Sequence, residues 1–127
     1  MTPSKSAKAV ERPSKLTGLA IATIVSGAIN MIGACGLTAS VVLGTLGIGI
    51  ICAPLTLLPS VLGFFEIMYG AKLLANPPTA VKPSQAIAAL EIAMVLYLNV
   101  ISLVVGILAF VFYNDQEVKD YFAEINA

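Results

Sequence analysis

Residues 16–76 read LTGLAIATIVSGAINMIGACGLTASVVLGTLGIGIICAPLTLLPSVLGFFEIMYGAKLLAN, and Glu66 and Lys72 are their only charged residues. A water-soluble domain could not cover so long an apolar tract. A bilayer can, because its hydrocarbon core is about 30 Å thick and takes about 20 apolar residues for each helical crossing. The segment therefore has room for two or three transmembrane helices, and a second apolar run over residues 86–112 adds another.

The composition of the whole chain places it in the membrane class. Hydrophobic residues make up 58% and charged residues 11%, against about 25% charged in average soluble domains, and the mean hydropathy is +0.95. We therefore predict an all-α integral membrane bundle in a single domain. The bilayer is its first partner, and the few cations, without interleaved aromatics, argue against nucleic-acid binding.

The charges are segregated along the chain although their formal sum is zero. Lys5, Lys8, Arg12 and Lys15 lie in the first tail, whereas acidic residues dominate the last one. Because cytoplasmic segments of membrane proteins carry an excess of Lys and Arg, we expect a multi-pass protein of the cell membrane with a cytoplasmic N-terminus.

The number of crossings depends on where the second helix ends. Pro54 and Pro59 each remove a backbone donor, so a turn near them would separate helices over 38–52 and 57–75, which with 16–36 and 86–112 gives four. One bent element over 38–74 would give three, but it would be about 55 Å long, well over the hydrocarbon thickness. Lys72 and Lys82 mildly favour three, because three crossings would put the 76–85 loop on the cytoplasmic side. Length is the stronger signal, so we predict four crossings, with three as the alternative.

The flanking segments differ from the bundle in composition. Residues 1–15 predict a disordered basic tail, residues 16–112 the transmembrane bundle, and residues 113–127 a short amphipathic helix. Its apolar face combines Val118, Tyr121, Phe122 and Ile125. We expect this face to lie in the headgroup region; folding against the end of the bundle is the alternative.

The segment Asn114-Asp115-Gln116-Glu117-Val118-Lys119-Asp120-Tyr121-Phe122 resembles the ending of some small uncharacterised bacterial polytopic membrane proteins. The resemblance covers the last third of the chain. It implies a bacterial origin, and hence the inner membrane, but it brings no activity with it.

Small residues recur on the predicted helix faces, and such residues let helices approach closely in lipid. We expect the first two helices to pack against each other and the third helix to offer small residues beside its carboxylate. The predicted packing residues are Gly18, Ala22 and Ser26, then Gly36, Ser40 and Gly44, and finally Gly63 and Gly70.

Glu66 is the sharpest functional candidate, because an ionisable group deep in a membrane is expensive and often marks an ion or proton path. Asn30, Tyr97 and Asn99 are the other intramembrane polar candidates. A protonated Glu66 bonded to Tyr97 or Asn99 would be a structural staple, and an alternately protonated one could relay protons. Transport usually needs more than one polar station, so the staple is preferred.

Lys72 and Glu91 are predicted to meet across the 76–85 loop as an interhelical ion pair, since both lie within about 9 Å of it along their helices. The alternative is that Lys72 extends to the interface and Glu91 reaches water there.

Enzymatic chemistry has no support in the sequence. The chain has no histidine and no tryptophan, and it lacks a metal-ligand cluster, a nucleophile elbow or a phosphate-binding loop. We therefore expect no metal and no cofactor. Cys35 follows Ile32-Gly33-Ala34, a pattern that resembles a lipoprotein cleavage box, but membrane sequence continues beyond it.

Two functions remain open. The first is a non-enzymatic protein that acts through helix packing, as a homo-oligomer or as an accessory subunit of a larger membrane complex. The alternative is a small proton or cation channel or transporter that uses Glu66.

Overall fold

The computed structural model describes residues 10–127, and every regular element in this range is helical, as predicted. The helices are α1 (Ser14–Gly44), α2 (Ala53–Thr56), α3 (Leu58–Leu73), α4 (Gln85–Ala93), α5 (Val100–Tyr113) and α6 (Gln116–Ile125), with 3₁₀ turns at Ile48–Cys52 and Met94–Tyr97. Two helical segments, Ser14–Gly44 and Ile48–Leu73, are long and apolar enough to cross a membrane. A third is added only if α5 and α6, bent by 77°, are counted as one. Four crossings are not evident.

The first two predicted helices form one continuous helix. α1 has 31 residues, so it is about 46 Å long. Glycine at position 36 does not break it, since an interior glycine costs a helix only about 1 kcal/mol. The chain reverses later, at Leu46 and Gly47, which both have positive φ (53° and 93°). The predicted packing of one helix against the other is therefore wrong.

The chain returns through Ile48–Leu73 and packs along α1. Proline lies in the first turn of both α2 and α3, where a missing N–H breaks no intrahelical bond. A Cβ on Gly27 would lie 2.6 Å from Gly63 O, and one on Gly70 would lie 2.9 Å from Ala20 O. Gly63 and Gly70 therefore lie at close helix contacts, as predicted.

The second apolar run is a helical hairpin instead of one helix. The helix that begins with α4 ends at Tyr97, Leu98 has a φ of 58°, and the Asn99 side chain caps α5 by accepting a hydrogen bond from Ser102 N at 3.1 Å. α5 then runs back along α4, so closely that a Cβ on Gly106 would lie 2.6 Å from Ala88 O. The apolar composition conceals this turn, because both arms are as hydrophobic as a single crossing.

Both ends of the α4–α5 hairpin lie at the end of the bundle where α3 finishes. The Tyr69 hydroxyl of α3 donates to Lys82 O at 3.0 Å and accepts from Ser84 N at 2.9 Å, and the Tyr113 hydroxyl donates to Tyr69 at 3.1 Å. The hairpin thus enters and leaves the bundle on one side.

α6 folds across this same end of the bundle. Val118, Tyr121 and Phe122 are buried in one core with Leu16 and Leu73. Docking in the headgroup region, which the sequence favoured, is therefore wrong, and the alternative is correct. The apolar face finds a protein surface because the bend after Tyr113 turns it back onto the bundle.

An exposed ion pair joins α6 to the start of α1. Lys15 Nζ lies 2.7 Å from Asp115 Oδ2 and 3.4 Å from Glu117 Oε2. The hydrogen bond from Lys15 lowers the pKa of Asp115 below its ordinary value. The pair is consequently present at neutral pH and is lost as the pH falls through that lowered pKa.

The predicted tail is shorter than expected. Residues 1–9 lie outside the described range. α1 already begins at Ser14, Val10 packs against the core, and the Arg12 guanidinium donates to Ala75 O at 2.7 Å. For residues 10–15 the prediction of disorder is therefore wrong.

Candidate functional site

Five polar side chains from four helices meet in the interior of the bundle and are called the polar cluster here. They are Ser26 and Asn30 of α1, Glu66 of α3, Glu91 of α4 and Ser102 of α5, and none of them is more than 2% exposed. Buried polar groups are costly unless they are hydrogen-bonded, so the bonds within the polar cluster decide what it can do.

Asn30 and Ser26 both bind Glu66. Asn30 Nδ2 donates to Glu66 Oε2 at 2.8 Å, and Ser26 Oγ donates to Glu66 Oε1 at 3.3 Å. Ser102 extends this network, because its Oγ lies 2.7 Å from Ser26 Oγ and accepts from Asn30 Nδ2 at 3.0 Å. Glu66 is thereby connected to α1 directly and to α5 through two hydroxyl groups.

The hydrogen-bond directions follow from what each group can donate. Asn30 Nδ2 has two hydrogens, and they go to Glu66 and Ser102. Ser26 uses its hydrogen on Glu66, so the short Ser26–Ser102 bond must be donated by Ser102. Two hydrogens of this network therefore reach Glu66, one on each oxygen, and both Glu66 oxygens act as acceptors.

Glu91 is the second carboxyl group, and it lies within hydrogen-bonding reach of Glu66. An ionised carboxylate only accepts, so a bond between two carboxyl groups needs a proton on one of them. Because both Glu66 oxygens already accept, a proton shared between the two groups would be carried by Glu91. The two side chains are called the carboxyl pair here.

The carboxyl pair is incompletely satisfied. Glu91 Oε1 is buried and has no hydrogen-bond partner among the described residues. Buried side-chain polar atoms nearly always have a partner in folded proteins. Glu91 is therefore the less satisfied of the two carboxyl groups.

One local arrangement positions each glutamate. At each glutamate, a glycine of a neighbouring helix packs against a small residue that precedes the glutamate by three positions. A Cβ built on that glycine would meet the carbonyl oxygen of the small residue, the Cβ of the glutamate and Cγ1 of the isoleucine that follows the glutamate. The two sets are Gly27 with Gly63, Glu66 and Ile67, and Gly106 with Ala88, Glu91 and Ile92. This repeat of a small residue, two others, Glu and Ile was readable in the sequence, but sequence reasoning missed it.

The turn between α4 and α5 is what brings Glu91 and Ser102 to the same carboxylate. In a continuous helix these residues would be separated by eleven positions, or about 16 Å. In the hairpin both reach the surroundings of Glu66. The carboxyl pair therefore depends on the reversal at Leu98 and Asn99.

The predicted polar candidates fall at different distances from Glu66. Asn30 binds it directly, and Asn99 Nδ2 donates to Asn30 Oδ1, one residue further away. Tyr97 is elsewhere, since its hydroxyl donates to Leu55 O at 3.0 Å. Ser102 was missed because isolated serines are common in membrane helices, and Ser26 was assigned only to packing.

The predicted ion pair between Lys72 and Glu91 is not formed. Lys72 is exposed, whereas Glu91 is 1% exposed and faces Glu66. The buried face of α3 combines Glu66, Tyr69 and Leu73, and Lys72 lies outside this face. Distance from the loop was similar for both residues, but direction around the helix separates them.

Most of the remaining packing candidates make no close contact with the described residues. A Cβ on Gly18, Gly36 or Gly44 would meet no atom within 4 Å. Ser40 is exposed, and its hydroxyl donates back to Gly36 O at 2.8 Å. Ala22, by contrast, packs against the core as a half-buried residue. The small residues on the second half of α1 thus face outward.

Within residues 10–127, no group of three or more His, Cys, Asp or Glu side chains is placed to hold a metal ion. Cys35 and Cys52 are exposed and are not joined in a disulfide.

Comparisons with protein-family models, with curated proteins and with solved structures found no match to this chain. The resemblance of the C-terminal segment to bacterial membrane proteins stays a prediction. The role of the polar cluster has to be inferred from its geometry.

Proposed function

We propose that the protein is a non-enzymatic integral membrane protein in which α1 and the segment Ile48–Leu73 cross the bilayer, while the α4–α5 hairpin enters it and returns. The large apolar side chains support this arrangement, since many of them are exposed, for instance Ile32 (75%), Leu43 (75%) and Leu96 (84%). Such a large apolar surface is unfavourable in water, but it is favourable in contact with lipid chains.

The orientation follows from the cations. Arg12 and Lys15 precede or begin α1, Lys72 ends α3, Lys82 lies in the next loop and Lys119 lies on α6. In the proposed topology all of them are on one side, which the positive-inside rule makes cytoplasmic. Lys72 and Lys82 favour a cytoplasmic position for the 76–85 loop. Four crossings would place this loop on the other side, whereas the proposed topology places it in the cytoplasm.

We infer that this protein takes up and releases protons in the membrane through the carboxyl pair, as a small proton-conducting or proton-coupled transporter. The observation that carries this proposal is the buried approach of Glu91 to Glu66, in which Glu91 Oε1 accepts no hydrogen bond from an N–H or O–H group of the described residues. A purely structural staple would satisfy all of its polar atoms. Two carboxyl groups sharing one proton instead form a group that can gain or lose a proton.

Polar groups lie on both sides of the carboxyl pair. Toward the cytoplasmic end, Tyr69 follows Glu66 by about one turn of α3, or about 4.5 Å, and connects to Tyr113 and to the backbone of the 76–85 loop. Toward the other side, Asn30 connects Glu66 to Asn99. The several polar stations that transport requires are therefore present, although the sequence suggested only one.

The experiment is a flux measurement on purified protein in liposomes that contain a pH-sensitive dye, with valinomycin and potassium to set the membrane potential. We expect internal acidification faster than in protein-free liposomes when the potential drives protons inward. Rates equal to those of protein-free liposomes at every potential and pH gradient, whether or not an organic cation is present on one side, would overturn the proposal.

Self-association through α1 is a second candidate function, and one observation favours it. Gly36 and Gly44 offer an outward surface, since a Cβ on either would meet no atom of the described residues within 4 Å. Small residues of this kind let a second helix approach closely in lipid. A homo-oligomer joined at this surface is compatible with the carboxyl pair inside each copy.

Cys35 makes this candidate testable without a new reactive group, because it is exposed beside Gly36. In a Cys52→Ala background, a short bifunctional thiol reagent is expected to join two copies through Cys35 in liposomes. Gly36→Leu should lower the yield several-fold, whereas Gly18→Leu should not. An equal yield in both variants would contradict an interface at this surface.

A further inference from the structure

A cavity of about 470 Å³ lies at the tip of the α4–α5 hairpin, between α1 and the start of α3. Most of the residues that line it are small or apolar, among them Gly33, Leu37, Pro59 and Val100. This volume is within the range of pockets that hold drug-sized ligands, about 300–1,000 Å³. Leu37 (41%) and Val100 (63%) are also exposed on the outside of the bundle, so a ligand would enter from the lipid.

One polar residue of the cavity, Asn30, is directly connected to the carboxyl pair. Asn30, Asn99 and Tyr97 line it, and the same Asn30 amide donates to Glu66 Oε2 at 2.8 Å. A ligand in the cavity would therefore be one side chain away from Glu66. Its charge would be felt strongly there, because the lipid-buried interior screens charges poorly.

The charge around the cavity has one sign. No residue between positions 37 and 65 is charged, and the cations of the described chain are grouped at the opposite end of the bundle, where Lys15 pairs with Asp115. When the carboxyl pair loses its shared proton, the cavity therefore has a negative potential that no cation of residues 10–127 lies close enough to cancel. An anion would be repelled there, and a neutral molecule would gain nothing from the pair.

We propose that this cavity binds a lipophilic organic monocation, such as a substituted ammonium ion, in exchange for the proton of the carboxyl pair. This inference rests on the proposed function and names the substrate class for it. The charges balance in a simple way: one cation enters from the lipid side while one proton leaves the Glu66–Glu91 pair. The apolar walls recognise the substituents, and the carboxyl pair recognises the charge.

The test uses benzyltrimethylammonium and its neutral carbon isostere, neopentylbenzene, with the purified protein in detergent, followed by calorimetry in weakly buffered solution. We expect the cation to bind with release of about one proton, so that Kd rises about tenfold for each unit of falling pH where the pair is protonated. The isostere should bind at least tenfold more weakly. Equal binding of the isostere, or cation binding without proton release, would overturn the proposal.

Variants separate the cavity from the rest of the bundle. Gly33→Leu places a side chain into the cavity and should weaken cation binding at least tenfold, and Glu66→Gln should abolish the proton release. Gly18→Leu, on an open part of α1, should change neither. Proton flux in liposomes without cation binding would overturn this inference and leave the proposed function standing. Cation binding with proton release but without any flux would overturn the proposed function and leave the cation-binding cavity standing.

Discussion

Liposomes with the Glu66→Gln protein are expected to acidify at least about tenfold more slowly than liposomes with the wild-type protein. Glutamine has the size of glutamate and can still bind Asn30 and Ser26, but it has no proton to give or take. A rise of only about 1.4 kcal/mol in the transfer barrier already produces a tenfold loss of rate. The measurement is the dye-based flux assay under an imposed membrane potential.

Two further variants make the Glu66→Gln result specific. Glu91→Gln should reduce the flux by a similar factor, because the carboxyl pair works as a unit. Glu124→Gln removes a carboxyl group on the exposed side of α6 and should leave the flux unchanged. Wild-type flux in the Glu66→Gln protein would show that the carboxyl pair is only structural.

Gly27→Leu is expected to have the largest effect on stability. Even the Cβ would lie 2.6 Å from Gly63 O and 2.9 Å from Ile67 Cγ1, and a backbone oxygen cannot move without separating α1 from α3. Overpacking in well-packed interiors typically costs about 1–3 kcal/mol, and we expect this substitution to reach or exceed the upper value. Thermal unfolding in detergent, followed by circular dichroism, measures the loss.

Gly18→Leu is the matched control, because it makes the same chemical change in the same helix. Nothing lies within 4 Å of a Cβ at position 18, so we expect no loss of stability. Leucine is also the better helix former, by somewhat less than about 1 kcal/mol. If both variants unfolded at the same temperature, the close contact of α1 with α3 would be wrong.

The sequence predicts helices apolar enough to cross a membrane and a buried position for Glu66, because these depend on composition and on the cost of exposing a carboxyl group to an apolar environment. The turn at Leu98 and Asn99 could not be predicted, since both arms of the hairpin are apolar and together have the length of one crossing. Two other predictions were wrong because they depend on the orientation of a side chain around its helix and on where a helix ends. Lys72 lies near the loop like Glu91, but it points away from the bundle interior, and Gly36 permits a helix that was expected to end there.

The α6 helix illustrates a different limit. Its alternation of apolar and charged residues predicts an amphipathic helix correctly, but the pattern is the same for a helix on a membrane and for one on a protein. Only the bend after Tyr113 decides between them. Orientation and partner choice depend on tertiary contacts, whereas helix formation depends on local sequence.

The central claim is that the chain turns back after Tyr97, so that α5 reaches the carboxyl pair. A cysteine pair tests it most directly, because Ser26 Oγ and Ser102 Oγ lie 2.7 Å apart. In a Cys35→Ala, Cys52→Ala background, the Ser26→Cys, Ser102→Cys protein is expected to form an intramolecular disulfide under mild oxidation, and Ser26→Cys with Ser60→Cys is not. Failure of the first pair to form would contradict the hairpin and the carboxyl pair with it.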